Sequence, residues 1–174
     1  MNYVVVLPIP VDIADYYNQT QILLIEKQKP EWIAGFYNLV GGKIEEGESP
    51  EQSAIRELKE ESGLSPIGED EFPIQNYPEG FIKKPVNFMG VLDTSKGKVY
   101  CFNIHVFFTQ QLQQDAGETE QVSWHDWNML DKDKIFPNLK VAIPLMLANI
   151  SGWTVVDNTI GGSFDKLKLS VIFE

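Results

Sequence analysis

The segment from Gly41 to Leu64, GGKIEEGESPEQSAIRELKEESGL, contains one helix whose start, stop and sides can all be read from its residues. Ser49 is followed by Pro50 and, three residues after the serine, by Gln52. The serine hydroxyl can accept from a first-turn amide, the glutamine can bond back to the serine amide, and the proline gives up an amide that had no partner. Gly63 supplies the residue that closes the last turn. Between these limits Ala54, Ile55 and Leu58 recur at helical spacing, so one side of the helix must be buried. Glu57, Glu60 and Glu61 share another side, within an arc of roughly 100°.

That acidic side is unfavourable on its own. Like charges three or four residues apart repel by a few tenths of a kcal/mol, and negative charge in a last turn opposes the helix dipole by roughly 0.3–1 kcal/mol per group. An isolated ELKEE is a solvated acidic face. A hard divalent cation would turn the repulsion into coordination, because Mg²⁺ and Mn²⁺ prefer carboxylate and water oxygens. Arg56 stands beside Glu60 on the wheel and can hold one carboxylate through a bidentate pair while the others face the ion.

Around this helix the chain reads as strands. NYVVVLPI, QILLIEKQ, VNFMGVLD and KVYCFNIHVFFTQ are rich in β-branched and large apolar residues, and TSKGK between the last two is a hairpin turn. Residues 65–85 have several prolines and glycines and no steady period, which predicts a long irregular loop. PNLKVAIPLMLANISG predicts a second helix with Asn138 as its N-cap, which Pro144 either kinks or delays to a start near Ile143. The tail from 153 to 174 reads as a closing β-hairpin, an extension of one domain spanning 1–174.

The formal charge of −11 argues against a nucleic-acid surface, which needs clustered Lys and Arg. Cys101 is the single cysteine, so neither an intramolecular disulfide nor a Cys/His zinc cluster can be built, and a reducing cytoplasm is the natural setting. MNYVVVLPIPV has no basic leader, and Pro8 and Pro10 break its apolar run well short of a membrane span. The expected partner is therefore a small molecule or a metal ion, with no nucleic acid and no membrane.

From Gly42 the chain reads Gly, five residues, Glu48, seven residues, Arg56, Glu57, Leu58, any residue, Glu60, Glu61, any residue, Gly63, Leu64. This resembles the Nudix box at every specified position. The resemblance implies an α/β/α sandwich with a central mixed β-sheet, and hydrolysis of a nucleoside diphosphate linked to some group X with Mg²⁺ or Mn²⁺ as cofactor. It implies Glu57 and Glu61 as principal metal ligands, Glu60 as a further ligand or the base, and Gly42 as donor of a backbone carbonyl. Arg56 would orient a glutamate, and Glu48 would close the loop against the helix. Some relatives take the general base from outside the box; here Asp115, Glu118 and Glu120 stand in a comparable place, with Glu118 favoured and then Glu120.

The approach to the glycines, EKQKPEWIAGFYNLVGGKIE, is similar to that of nucleoside triphosphate pyrophosphohydrolases, including 8-oxo-dGTP diphosphatase-like members. Val40 departs from the proline common there, which alters the loop's stiffness and leaves the chemistry intact. Lys27 and Lys29 could reach phosphates, Phe36 or Tyr37 could stack a base, and Asn38 or Asn138 could read its edge. Trp32, Trp124 and Trp127 are read as packing. ADP-ribose or dinucleotide hydrolysis is the alternative among enzymes, and a nucleotide-sensing module without catalysis the alternative outside them; no box glutamate is lost, which favours catalysis.

Overall fold

The computed structural model describes residues 1–11, 20–68, 84–107, 110–112, 120–157 and 169–174. Strand β1 (Tyr3–Val11) is apolar at almost every position because both of its faces are covered. Val4 and Val6 join one core, and Val5, Leu7 and Ile9 join the other. β2 (Gln21–Glu26) does the same, with Leu23 and Ile25 on the first side and Ile22 and Leu24 on the second. A chain with two such strands needs a helix on each face of the sheet.

The elements that follow are β3 (Tyr37–Asn38), α1 (Pro50–Ser62), β4 (Val86–Thr94), β5 (Gly97–Phe107), β6 (Gln121–Asp126), α2 (Pro137–Leu147), β7 (Trp153–Asp157) and β8 (Leu169–Phe173). Five strands form a mixed sheet in the order β1-β5-β4-β7-β8, and three form a second in the order β3-β2-β6. β1 is parallel to β5, β5 antiparallel to β4, β4 parallel to β7, and β7 antiparallel to β8. The sheets meet where β1 donates to the chain after β3, through Val6 N–H to Val40 O at 2.8 Å and Val4 N–H to Gly42 O at 2.9 Å.

α1 seals one face with Ala54 and Leu58, against Val4, Val6, Leu23, Ile25 and Ile104. α2 seals the other with Leu139, Ala142, Ile143 and Met146, against Leu7, Leu24, Cys101 and Trp153. The architecture is an α/β/α sandwich around a mixed sheet. The buried Asn103 of β5 donates through Nδ2 to the Met146 carbonyl at 2.9 Å, which ties the end of α2 to the sheet. Among the described residues no helix is long and apolar enough to cross a membrane.

Three local expectations are corrected. Asn138 is not the N-cap of α2: Pro137 opens the helix with its fixed φ, and the cap falls to Phe136, whose carbonyl accepts from Leu139 N–H at 2.9 Å. Pro144 does not delay the helix, which runs through it; the proline is exposed, so the carbonyl one turn back loses its donor on the solvent side of the helix. Trp32 is not part of the core: it sits on a short 3₁₀ turn, Glu31–Ile33, and is 64% exposed. The expected turn between β4 and β5 is present, with Thr94 opposite Gly97. Of the expected loop over 65–85, residues 69–83 lie outside the described residues. In the tail β7 and β8 pair with each other, and β7 also pairs with β4, so they widen the main sheet.

β4 reaches β7 across a bare Cα. At Gly90, beside a bulge in the β4–β5 register, an added Cβ would lie 2.3 Å from the ring of the buried Trp153. Gly90→Ala is therefore expected to destabilise the protein by about 1–3 kcal/mol through overpacking. Chemical denaturation measures this directly, and a change within about 0.5 kcal/mol, the range of an ordinary surface substitution, would contradict the packing described.

Candidate active site

The site starts from the ends of α1. Ser49 Oγ accepts from Gln52 N–H at 3.2 Å, Gln52 Oε1 accepts from Ser49 N–H at 2.9 Å, and Gly63 takes the left-handed conformation at φ 74°. With both ends fixed, the rotation of the helix is set by Ala54 and Leu58 in the core. The acidic side then faces the chain between β3 and α1, where Gly41 and Gly42 lie.

Arg56 organises the carboxylates. Its Nε and Nη2 donate to the two Glu48 oxygens at 2.7 and 3.0 Å, and its Nη1 donates to Glu57 at 2.8 Å and Glu60 at 3.0 Å. Nη2 also donates to the Lys43 carbonyl at 3.1 Å. The bidentate partner is thus Glu48, outside the helix, and not Glu60 as the helical wheel suggests. The loop 43–48 is pulled onto α1, and Glu48 also accepts from the Glu45 amide at 3.1 Å.

Two carboxylates on one guanidinium titrate in opposite directions. Glu48 is lowered to about 2, first by its hydrogen bonds from Arg56 and then by the Glu45 amide. Glu57 is raised, because burial outweighs the pull of Arg56 and the nearby Glu60 and Glu48 charges add to it. Arg56 itself is held protonated more firmly than usual, above all by Glu48.

The two glycines carry the closest contacts. Gly41 N–H donates to Glu61 at 2.7 Å. Gly42 lends its carbonyl to Val4 N–H, and its bare Cα faces the Glu57 carboxylate, which a Cβ there would meet at 2.3–2.5 Å. Among the described residues no three His, Cys, Asp or Glu side chains converge as a ready-made metal cage. Glu57 and Glu60 are drawn to Arg56, and Glu61 to Gly41. The donor set nonetheless fits a hard cation: Mg²⁺ is usually held by one or two carboxylates with waters and substrate phosphates, and Glu57 and Glu61 flank the same two glycines.

On their other side Gly41 and Gly42 line a pocket of about 200 Å³. Asn38 of β3 and Asn138 of α2 both line it, with Phe136, Leu92 and Tyr3. The lining is neutral and mostly apolar, and two amides supply donors and acceptors. Phe36 does not line the pocket; it packs on Phe136 with ring centroids 5.9 Å apart, so Phe136 is the aromatic wall that sequence reading missed. Its signal is its place just ahead of Pro137 and Asn138. Lys27 and Glu120, one read as a phosphate binder and the other as a base, pair with each other at 2.8 Å. Lys29 is exposed, and Glu118 lies outside the described residues.

A family model described as NUDIX domain matches residues 7–146. The chain belongs to the Nudix family. Over 136 residues, 74% of this chain and 74% of its relative, this Nudix hydrolase is 27% identical to a Mus musculus protein named oxidized purine nucleoside triphosphate hydrolase. It shares its fold with a mutator MutT protein from Bacillus halodurans, at TM-score 0.65 and 16% identity over 98% of this chain and 96% of that one. The NUDIX domain of Shewanella oneidensis NrtR, solved with ADP ribose, is similar at TM-score 0.53 and 18% identity over 86% of each chain.

The two glycines make opposite predictions for this Nudix hydrolase. A Cβ at Gly41 would lie 2.1 Å from the Val4 carbonyl, which is backbone and cannot give way, at a φ of 153°. Gly41→Ala is expected to lower the melting temperature clearly. The atoms nearest to a Gly42 Cβ belong to the movable carboxylate of Glu57, so Gly42→Ala should fold with near-normal stability while losing turnover. Gly42→Ala with full activity would show that the carboxylate's position is immaterial. A second measurement concerns Glu48. The stability its pairing with Arg56 confers is present above the ordinary value of 4.5 and is lost as pH falls through about 2. Carboxyl-detected NMR should follow that titration and place its midpoint well below that of an unpaired glutamate.

Proposed function

We propose that this Nudix hydrolase uses a divalent cation, Mg²⁺ or Mn²⁺, to cut a nucleoside triphosphate between the α and β phosphates, giving the monophosphate and pyrophosphate. The observation that carries this reading is the shared wall at Gly41–Gly42, with a neutral pocket on one side and the Glu57 and Glu61 carboxylates on the other. A purine base fits the pocket chemically: Asn38 and Asn138 offer amide donors and acceptors to its edge, and Phe136 and Leu92 offer apolar contact. The triphosphate then crosses the glycines, where no side chain bars the backbone from approaching it.

Glu57 and Glu61 would hold the cation, with the Gly42 carbonyl beside them. When bound, the ion supplies charge neutralisation to the pyrophosphate and acidifies the attacking water. Arg56 keeps Glu57 and Glu60 in place and is saturated by carboxylates, so it is an orienting group and does not bind phosphate. Of the carboxylates considered for the proton of the attacking water, Glu120 is paired with Lys27 and Glu60 with Arg56, while Asp115 and Glu118 lie outside the described residues. The first of these pairs occupies Lys27, so of the two lysines considered for the phosphates Lys29 is the one without that partner. The name of the Mus musculus relative favours an oxidised purine nucleotide among the triphosphates.

The test is kcat/KM for oxidised and normal nucleoside triphosphates beside ADP-ribose, NADH and a diadenosine polyphosphate, with products separated. A triphosphate should lead and release pyrophosphate. If ADP-ribose or a dinucleotide leads by tenfold, about 1.4 kcal/mol of transition-state preference, the substrate reading is wrong. Activity should vanish in chelator and return with Mg²⁺ or Mn²⁺. Glu61→Gln, which keeps an oxygen for the Gly41 amide and removes a ligand charge, should fold normally and lose turnover by orders of magnitude. Glu60→Gln, Glu118→Gln and Glu120→Gln then separate the candidate bases: the true one lowers the rate without weakening metal affinity.

A further inference from the structure

Three side chains of the three-stranded sheet meet behind the pocket. Ser123 and His125 are two residues apart on β6, so they share a face. They stand opposite Leu24 and Ile22, which belong to the core beneath α2, and Tyr37 of β3 packs on that same core. Ser123 Oγ and His125 Nε2 share a hydrogen bond at 2.8 Å, which fixes the rotation of the imidazole. The imidazole lies against the Tyr37 ring, with centroids 4.9 Å apart and planes at 60°. None of these three side chains lines the pocket.

Their neighbours do line it. Tyr37 forms a parallel bridge with the fully buried Ile135. Asn38 follows Tyr37 and Phe136 follows Ile135, and both face the pocket. The Phe36–Phe136 ring contact joins the same two segments. The pocket wall carried by β3 and the wall that opens α2 are thus fastened together at Tyr37 and Ile135, and His125 backs the Tyr37 side of that fastening. We propose that His125 is a positioning residue for the pocket, acting through Tyr37 to fix the distance between Asn38 on one wall and Phe136 and Asn138 on the other. Without the imidazole, Tyr37 has a gap beside it, and a packed site closes such a gap only in part. Glu57 and Glu61 are held by Arg56 and the Gly41 amide, on the α1 side of the glycines, so the loss falls on ligand binding and spares the chemical step.

This role rests on the pocket taking the base of the nucleotide, so one readout is made without ligand and one with it. In NMR spectra of the ligand-free protein, His125→Ala should weaken the NOEs between Tyr37 and Ile135 and between the Phe36 and Phe136 rings. His125→Phe, which keeps a flat ring against Tyr37, should restore them. With 8-oxo-dGTP as substrate and saturating Mg²⁺, His125→Ala should raise KM about tenfold and leave kcat within about twofold, and His125→Phe should recover most of the KM. His125→Leu, which fills the space without a flat ring, carries the same test if His125→Ala fails to fold. NOEs that stay at wild-type strength would overturn the proposal, whatever the melting temperature does. So would an effect that falls on kcat with KM unchanged. Weakened NOEs with both kinetic constants unchanged would uphold the coupling between the walls and count against the base-site reading. If the wild type does not turn over 8-oxo-dGTP, the substrate reading fails and the ligand-free spectra still decide the coupling.

Discussion

The site depends on how closely a strand, a helix and a loop can approach at Gly41 and Gly42. Val4 of β1 reaches the Gly42 carbonyl, Glu61 of α1 takes the Gly41 amide, and Glu57 lies where a Gly42 side chain would be. Any Cβ at Gly41 would enter the β1 backbone, and any at Gly42 would displace a carboxylate. The same two residues line the pocket on the α2 side. The pocket and the carboxylate stripe of α1 thus have these two glycines in common.

Charge balance is the second constraint. A chain with a formal charge of −11 gathers glutamates at the C-terminal half of α1, where the helix dipole disfavours them. Arg56 offsets this by reaching Glu48, Glu57 and Glu60 at once. Because Glu48 takes two hydrogen bonds from Arg56 and one from the Glu45 amide while burial dominates at Glu57, the first is left strongly acidic and the second has its carboxyl raised. Arg56 therefore clasps the loop to the helix and keeps a carboxylate pair in place without discharging it.

On the opposite face α2 is positioned from both ends. Pro137 and the Phe136 carbonyl start it beside the pocket, and Asn103 of β5 holds the Met146 carbonyl near its end. Asn138 is thereby carried in the first turn of a helix that is packed through Leu139, Ala142, Ile143 and Met146. An amide on a rigid first turn can discriminate between ligand edges in a way that one on a free loop cannot.

The sequence by itself determined what depends on near neighbours. The limits of α1 follow from Ser49, Pro50, Gln52 and Gly63, and the β4–β5 turn from the residues between Thr94 and Gly97, because caps and tight turns are made within a few residues. The strand character of β1 was legible in its β-branched and large apolar residues, whereas the burial of both its faces came only with the helices that cover them. The spacing from Gly42 to Leu64 carried the family. Tertiary structure decided whatever joins distant positions. Lys27 and Glu120, 93 residues apart, are quenched by each other, and no local pattern announces that. The bidentate partner of Arg56 is Glu48 because a loop folds back, which a helical wheel cannot show. Phe136 enters the pocket and Trp32 faces solvent for the same reason: an aromatic side chain's place is set by the surface that arrives opposite it, and that surface comes from elsewhere in the chain.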